Sequence, residues 1–205
     1  MVPAARESLL DAAYTALARR PWSAVRMVDV AAAAGVSRQT LYNEFGSKEG
    51  LARALVRREA DGYLAGVERA LAGGCGDPRE RLTATAEWTT SAARENALVR
   101  AMLTGCWSER LPSPTLMAVP SSSAVPAQRR ADGPLPSPGD LVALVRDRAV
   151  AVLNGAGTLA RPNAPELARS CELAVRLALS CVAAPPAEGG VAELVRTALP
   201  RQLTA

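Results

Sequence analysis

The sequence predicts an all-α protein in two parts: a small N-terminal three-helix head carrying a helix-turn-helix, and a larger C-terminal helical domain. Three observations lead there. Nearly half of the 205 residues (49%) are apolar but only 3% are aromatic, so the core must be built from Ala, Leu and Val. Alanine and leucine are strong helix formers. Apolar residues recur at helical rather than alternating spacing. Proline, glycine and small polar residues fall where helices start and stop.

The elements follow in order. Over residues 6–17, Leu9, Leu10, Ala13, Tyr14 and Leu17 form one apolar face, and Pro21 ends that helix. A short helix over residues 27–34 is closed by Gly35, at a position that suits a left-handed turn. Ser37 is the N-cap of a third helix, 38–44. Gly46 breaks again, and Ser47 caps a longer fourth helix carrying Leu51, Leu55, Val67 and Leu71. Asp77-Pro78-Arg79-Glu80 reads as N-cap, N1 proline and N3 glutamate, and Ser137-Pro138-Gly139-Asp140 has the same shape. Asn163-Ala164-Pro165-Glu166 opens a helix to about Ala184, and a last one spans about Gly190 to Leu203. Between Pro112 and Pro138 the chain turns rich in Pro and Ser, without sustained helical periodicity. It is too long for an ordinary loop, so residues 112–138 are expected to be flexible, with a helical turn near Leu116 at most. The expected division is a head over 1–48 and a larger helical domain over 49–205.

Charge and chemistry narrow the function. Up to Arg58, nine cations stand against five acids, while the 15 of each sign beyond cancel. The basic excess therefore lies at the N-terminal end, where a polyanion would dock. The chain contains no histidine, which removes the commonest general base and makes a Cys/His zinc site improbable. Its four cysteines (Cys75, Cys106, Cys171, Cys181) form no CxxC pair. Neither a Ser/His/Asp nor a Cys/His set can be assembled, so no catalytic or metal-ligating residues are expected and no cofactor is implied. The glycine-rich "NGAGT" at 154–158 follows a helix rather than a strand, so a phosphate cradle fails its context; Gly155 reads as a helix C-cap. With no signal peptide and no long apolar run, the expectation is a cytoplasmic protein with reduced thiols and no membrane partner.

The informative stretch is "VRMVDVAAAAGVSRQTLYNEFGSKEGL", residues 25–51. Two short helices flank a turn with glycine, which is helix-turn-helix spacing. Val30, Ala31 and Ala34 would face inward on the first helix, Leu41 and Phe45 on the second, with Val36 plugging the turn. That leaves Arg38, Gln39, Thr40, Tyr42, Asn43 and Glu44 outward. Arg38 suits guanine O6/N7, and Gln39 or Asn43 suits adenine N6/N7. Thr40 and the Tyr42 hydroxyl suit phosphate oxygens, which set register. Lys48, the one lysine among 24 cationic side chains, sits in the first turn of the fourth helix. The macrodipole disfavours a cation there by roughly 0.3–1 kcal/mol. A phosphate bound at the helix start would explain the choice.

These residues resemble the TetR family of bacterial transcriptional regulators. The family's "IA..AGVS..TLY..F.SKE.L" stands here as Val30-Ala31, Ala34-Gly35-Val36-Ser37, Thr40-Leu41-Tyr42, Phe45, Ser47-Lys48-Glu49 and Leu51, inside a match of about 45 residues. The longer "GVSRQTLYNEFGSK" is similar to a subgroup associated with alkane or fatty-acid metabolism in high-GC actinobacteria. The resemblance implies a homodimer whose two recognition helices enter successive major grooves of an operator, and a C-terminal domain that binds an effector. It also implies a four-helix dimer seam from the last two long helices. Arg26 departs from the pattern: many members carry a capping Thr there, whereas Arg26 cannot cap but can reach a phosphate. Candidate DNA contacts are thus Arg26, Ser37, Arg38, Gln39, Thr40, Tyr42, Asn43 and Lys48. Trp88, Met102, Leu103, Trp107, Leu141, Leu144 and Val145 are candidates to line an apolar effector pocket. The scarcity of paired polar groups points to an apolar or amphipathic small molecule. Two functions result: a ligand-responsive repressor, or a DNA-binding regulator controlled by a protein partner or by abundance.

Overall fold

The first helix starts at Pro3 and stops just short of Pro21, whose ring cannot continue it. The computed structural model describes residues 3–73, 77–112, 135–155, 164–186 and 188–200. Among these it is helical throughout, with no strand: α1 (Pro3–Arg19), α2 (Met27–Ala33), α3 (Arg38–Phe45), α4 (Lys48–Ala72), α5 (Pro78–Glu95), α6 (Ala97–Thr104), α7 (Pro138–Gly155), α8 (Ala164–Ala183) and α9 (Gly190–Ala198). A short 3-10 turn at Trp22–Ala24, which the sequence reading missed, joins α1 to α2. The Pro/Ser-rich stretch from 113 to 134, residues 156–163 and residues 201–205 lie outside the described residues, as does Cys75.

The chain divides into two units, residues 1–59 with 107–135, and residues 60–106 with 136–205. In the first, α1, α2 and α3 all pack against one another. Leu9, Leu10, Ala13, Val30, Ala31, Leu41 and Phe45 are buried together with Leu51 and Leu55 of α4. The turn between α2 and α3 is a full Schellman motif: Gly35 adopts φ +68°, its N–H donates to Ala32 O, and the Val36 N–H donates to Ala31 O at 3.0 Å. The glycine is there because only it enters that backbone region without strain. Ser37 then caps α3, its Oγ accepting the Thr40 N–H at 3.0 Å.

In the second unit α8 is central, packed by α5, α6, α7 and α9. Its buried stripe is Leu167, Cys171, Ala174, Val175, Ala178 and Cys181, the i, i+3/i+4 pattern of a core helix. The caps explain the boundaries. Asp77 accepts the Arg79 N–H at 2.9 Å to open α5. At α7, Ser137 and Asp140 close a reciprocal capping box: Ser137 Oγ accepts the Asp140 N–H at 3.1 Å, and Asp140 Oδ2 accepts the Ser137 N–H at 2.9 Å. Glu80, which has the same N3 place in α5, instead takes a bidentate ion pair from Arg196 of α9 at 2.9 and 3.0 Å. Asn96 splits α5 from α6, because its side chain accepts from the Leu98 and Val99 N–H groups.

A close approach of α4 to α5 depends on Gly66. A Cβ placed there would lie 2.1 Å from the Trp88 indole. Trp88 is held in place by its N–H, which donates to Tyr63 O at 3.0 Å. Gly66→Ala must therefore displace a large hydrogen-bonded ring, and is expected to destabilise the protein by about 1–3 kcal/mol. Urea unfolding of the variant beside the wild type checks this.

Candidate nucleic-acid interface

The α3 helix presents one polar face because its apolar residues, Leu41 and Phe45, are spent on the head's core. Arg38, Gln39 and Asn43 are exposed, Tyr42 is 41% exposed, and Thr40 is half-buried. Arg38 has no hydrogen-bond or ion-pair partner among the described residues, so its planar fork points out uncommitted. Gln39 Nε2 donates to Asn43 Oδ1 at 2.9 Å, an i, i+4 pair that holds two amides side by side. The Ser37 and Thr40 hydroxyls lie 2.9 Å apart, so both belong to the N-cap as well as to the outer face.

Glu44 does not join that face, contrary to its helical position. Its side chain is 11% exposed and pairs with Arg6 of α1 at 3.6 Å, while the Arg6 guanidinium lies over the Phe45 ring at 4.8 Å. The reason is electrostatic and tertiary: α1 brings a cation across the end of α3. The turn removes a negative charge from a surface that would otherwise repel phosphate.

Arg26 is the N-cap residue of α2 and makes no side-chain cap, as its chemistry requires. Its Nε and Nη2 donate to the two oxygens of Asp29 at 3.0 Å each. Arg20 adds a third bond to Asp29 at 3.2 Å. The Arg26 hydrogen bond foremost, with Arg20 behind it, holds the Asp29 carboxyl below the usual carboxylate range. Arg26 is thus exposed but matched in charge, and a phosphate there must compete with Asp29.

Lys48 is half-buried, and its setting differs from a bare cation on a dipole. Its Nζ donates to Ser23 O at 3.1 Å and stands 5.5 Å from the centre of the Trp22 ring. Ser47 Oγ caps α4 by accepting the Gly50 N–H at 3.1 Å. Glu49 supplies the acid that the helix start favours. Its own backbone N–H, and then Ser47, hold its carboxyl below the usual range. Lys48→Glu would therefore remove a hydrogen bond and a stacked cation, not simply improve the cap.

The apolar candidates separate. Met102, Leu103, Leu141 and Val145 are buried in the second unit, where α6 packs on α7, whereas Leu144 is 36% exposed. Trp88 is half-buried with its N–H engaged, and the Arg69 guanidinium lies 5.8 Å from the ring centre. Trp107 belongs to the other unit. Two open clefts of about 540 and 450 Å³, one beside α9 and one along α1 and α2, are lined by none of the seven. Among the described residues no cluster of His, Cys, Asp or Glu could hold a metal. No helix among them is long and apolar enough to cross a membrane.

The family described as "Bacterial regulatory proteins, tetR family" matches residues 9–55, which span the head and the start of α4. The chain is 34% identical over 182 residues to the HTH-type transcriptional regulator AlkX of Mycobacterium tuberculosis (strain ATCC 25618 / H37Rv), across 88% of this chain and 76% of that protein. The chain belongs to the TetR family. Among solved structures, a TetR/AcrR family regulator from Thermobifida fusca YX-ER1 shares the fold, with a TM-score of 0.57, 17% identity, and coverage of 96% of this chain and 98% of that one. The TetR family repressor AlkX from Dietzia sp. strain DQ12-45-1b, implicated in biodegradation of n-alkanes, is 25% identical over 96% of this chain and 91% of that one, with a TM-score of 0.49. As a TetR family member the chain is a DNA-binding transcriptional regulator, of a family whose members are typically repressors and are not enzymes.

Proposed function

We propose that this TetR family regulator is a ligand-responsive repressor that binds a near-palindromic operator as a homodimer, with the α3 helix of each copy in a major groove. The observation that carries this reading is the outward face of α3. It joins an uncommitted arginine and a paired Gln39–Asn43 amide edge on a helix whose other side is fixed in the core. Ser37, Thr40 and Tyr42 stand at its margins, where hydroxyls suit phosphate oxygens. Arg26 and Lys48 are the flanking cations. The head over residues 1–48 does the reading, and residues 49–205 bind the effector and dimerise.

For the dimer, α8 and α9 supply exposed apolar side chains, Leu173 at 39% and Leu194 at 37%. A second copy would cover them. For the effector, the interior of the second unit favours an apolar or amphipathic molecule. Four of its buried hydroxyls are already bonded at home: Tyr63 with Thr89 at 3.1 Å, and Thr83, Thr85 and Thr89 to carbonyls one turn back. Such a lining offers little to a charged ligand. Trp88, Met102, Leu103, Leu141, Leu144 and Val145 remain the candidate walls.

A thermal-shift series of alkyl and acyl compounds tests the effector half. A stabilising compound is expected to raise the unfolding midpoint and to release DNA at the same concentrations. Silence across every chemical class would instead favour control by a protein partner or by abundance. Operator binding should fall steeply with salt, because each phosphate contact releases counterions.

A further inference from the structure

We propose that Trp22 is a positioning residue for DNA binding: its indole face and the Ser23 carbonyl form a seat that aims the Lys48 ammonium at a backbone phosphate. This rests on the DNA-binding reading above and adds a residue that the helix-turn-helix pattern does not contain.

Several cations of the head are matched by acids. Arg6 pairs with Glu44, Arg20 and Arg26 share Asp29, and Arg58 meets Asp11 at 2.6 Å together with Glu59 and Glu7. Lys48 is held differently. Its Nζ meets a carbonyl oxygen at 3.1 Å and an aromatic ring at 5.5 Å, neither charged, and the carboxylate it feels is that of Glu49, next in the chain. The side chain is thus ordered without an ion pair. An ion pair orders a cation by neutralising it, which serves stability. A neutral seat keeps the charge for an anion from outside.

The chemistry of the seat also accounts for lysine over arginine in a chain with one lysine. An ammonium is a compact charge with three donors. One goes to Ser23 O, the charge lies over the Trp22 ring, and donors remain for a phosphate oxygen. The seat itself is fixed. The Trp22 N–H donates to Arg110 O at 2.8 Å, and Trp22 O accepts the Val25 N–H at 3.0 Å, so the residue is tied on both sides of its peptide unit. The Ala24 N–H donates to Pro21 O at 2.9 Å and closes the 3-10 turn. Pro21 pre-sets that turn, and Ser47 fixes the start of α4, bringing two rigid pieces of backbone to the two ends of one lysine.

A double-substitution cycle in the full chain tests this, using a fluorescein-labelled duplex of mixed sequence titrated at increasing KCl. Phosphate contacts do not depend on sequence, so no operator is needed. Lys48→Met is expected to reduce the slope of log affinity against log salt by about 0.9 per protomer on the DNA. Trp22→Leu, with the lysine intact, should weaken binding about two- to fivefold. In the Lys48→Met background it should have no further effect. Trp22→Phe keeps a ring and should fall between, which provides a reading if Trp22→Leu lowers the folded fraction. Equal losses from the Trp22 substitutions with and without Lys48 would show a merely structural role and overturn the proposal. So would wild-type affinity and slope in Lys48→Met while Arg38→Ala still weakens binding. If the wild type itself binds the duplex without salt dependence, the DNA-binding reading falls, and this inference with it.

Discussion

Arg38→Ala is expected to weaken binding to the operator by about 1–3 kcal/mol for each α3 helix that reads it, and therefore by roughly twice that in a dimer. The size follows from the geometry. Arg38 sits in the first turn of a helix fixed on its far side by Leu41 and Phe45, and it has no partner among the described residues. Little of its stability role is lost with the side chain, so the folded fraction should not change. What is lost is a planar, bidentate donor that no other outward residue of α3 supplies. Binding to unrelated DNA should weaken far less, through one phosphate-range charge per copy. Anisotropy titrations of wild type and variant against the regulator's own promoter region and a mixed-sequence duplex separate the two. Equal losses on both DNAs would demote Arg38 from reader to general cation.

Leu41→Ala should do the opposite, removing stability before recognition. Leu41 is fully buried where α3 meets the rest of the head. Truncation there is expected to cost about 2–5 kcal/mol, the transfer of the lost carbons plus the cavity they leave. The head draws on few other large side chains, so it has little with which to refill the space. Urea unfolding should show the loss, with DNA affinity recovering at lower temperature as the head refolds. A Leu41→Ala protein as stable as the wild type would mean that α3 is not docked as described.

The local signals were readable where they act over one or two turns. Gly35 and Ser37 are legible because a left-handed turn and an N-cap have few candidate residues, and both bonds stand where the spacing places them. Leu41 and Phe45 are legible because four residues make one helical step. Asn96 carried its signal, a cap residue before an apolar run, but good helix formers on both sides and the lack of Pro or Gly hid it. Glu44 was not legible. Its side was decided by Arg6, which is distant in sequence and adjacent only after folding. Lys48 is the same case: its ring and carbonyl lie about 25 residues away, so the sequence showed an oddly placed cation and not its seat. Of the effector candidates, Met102 and Leu141 show why apolar residues on middle helices do not identify a wall. Core and pocket draw on the same residue types, and burial alone does not separate them.

On the proposed function, two copies of this chain place α3 in major grooves of one operator. Hydroxyl-radical footprinting of the wild type on its own promoter region tests it most directly. Two patches of protection related by a two-fold axis are expected, centred roughly 34–36 Å or a multiple of that apart, both fading in Arg38→Ala. A single unsymmetrical patch, or protection that survives Arg38→Ala and high salt alike, would contradict it.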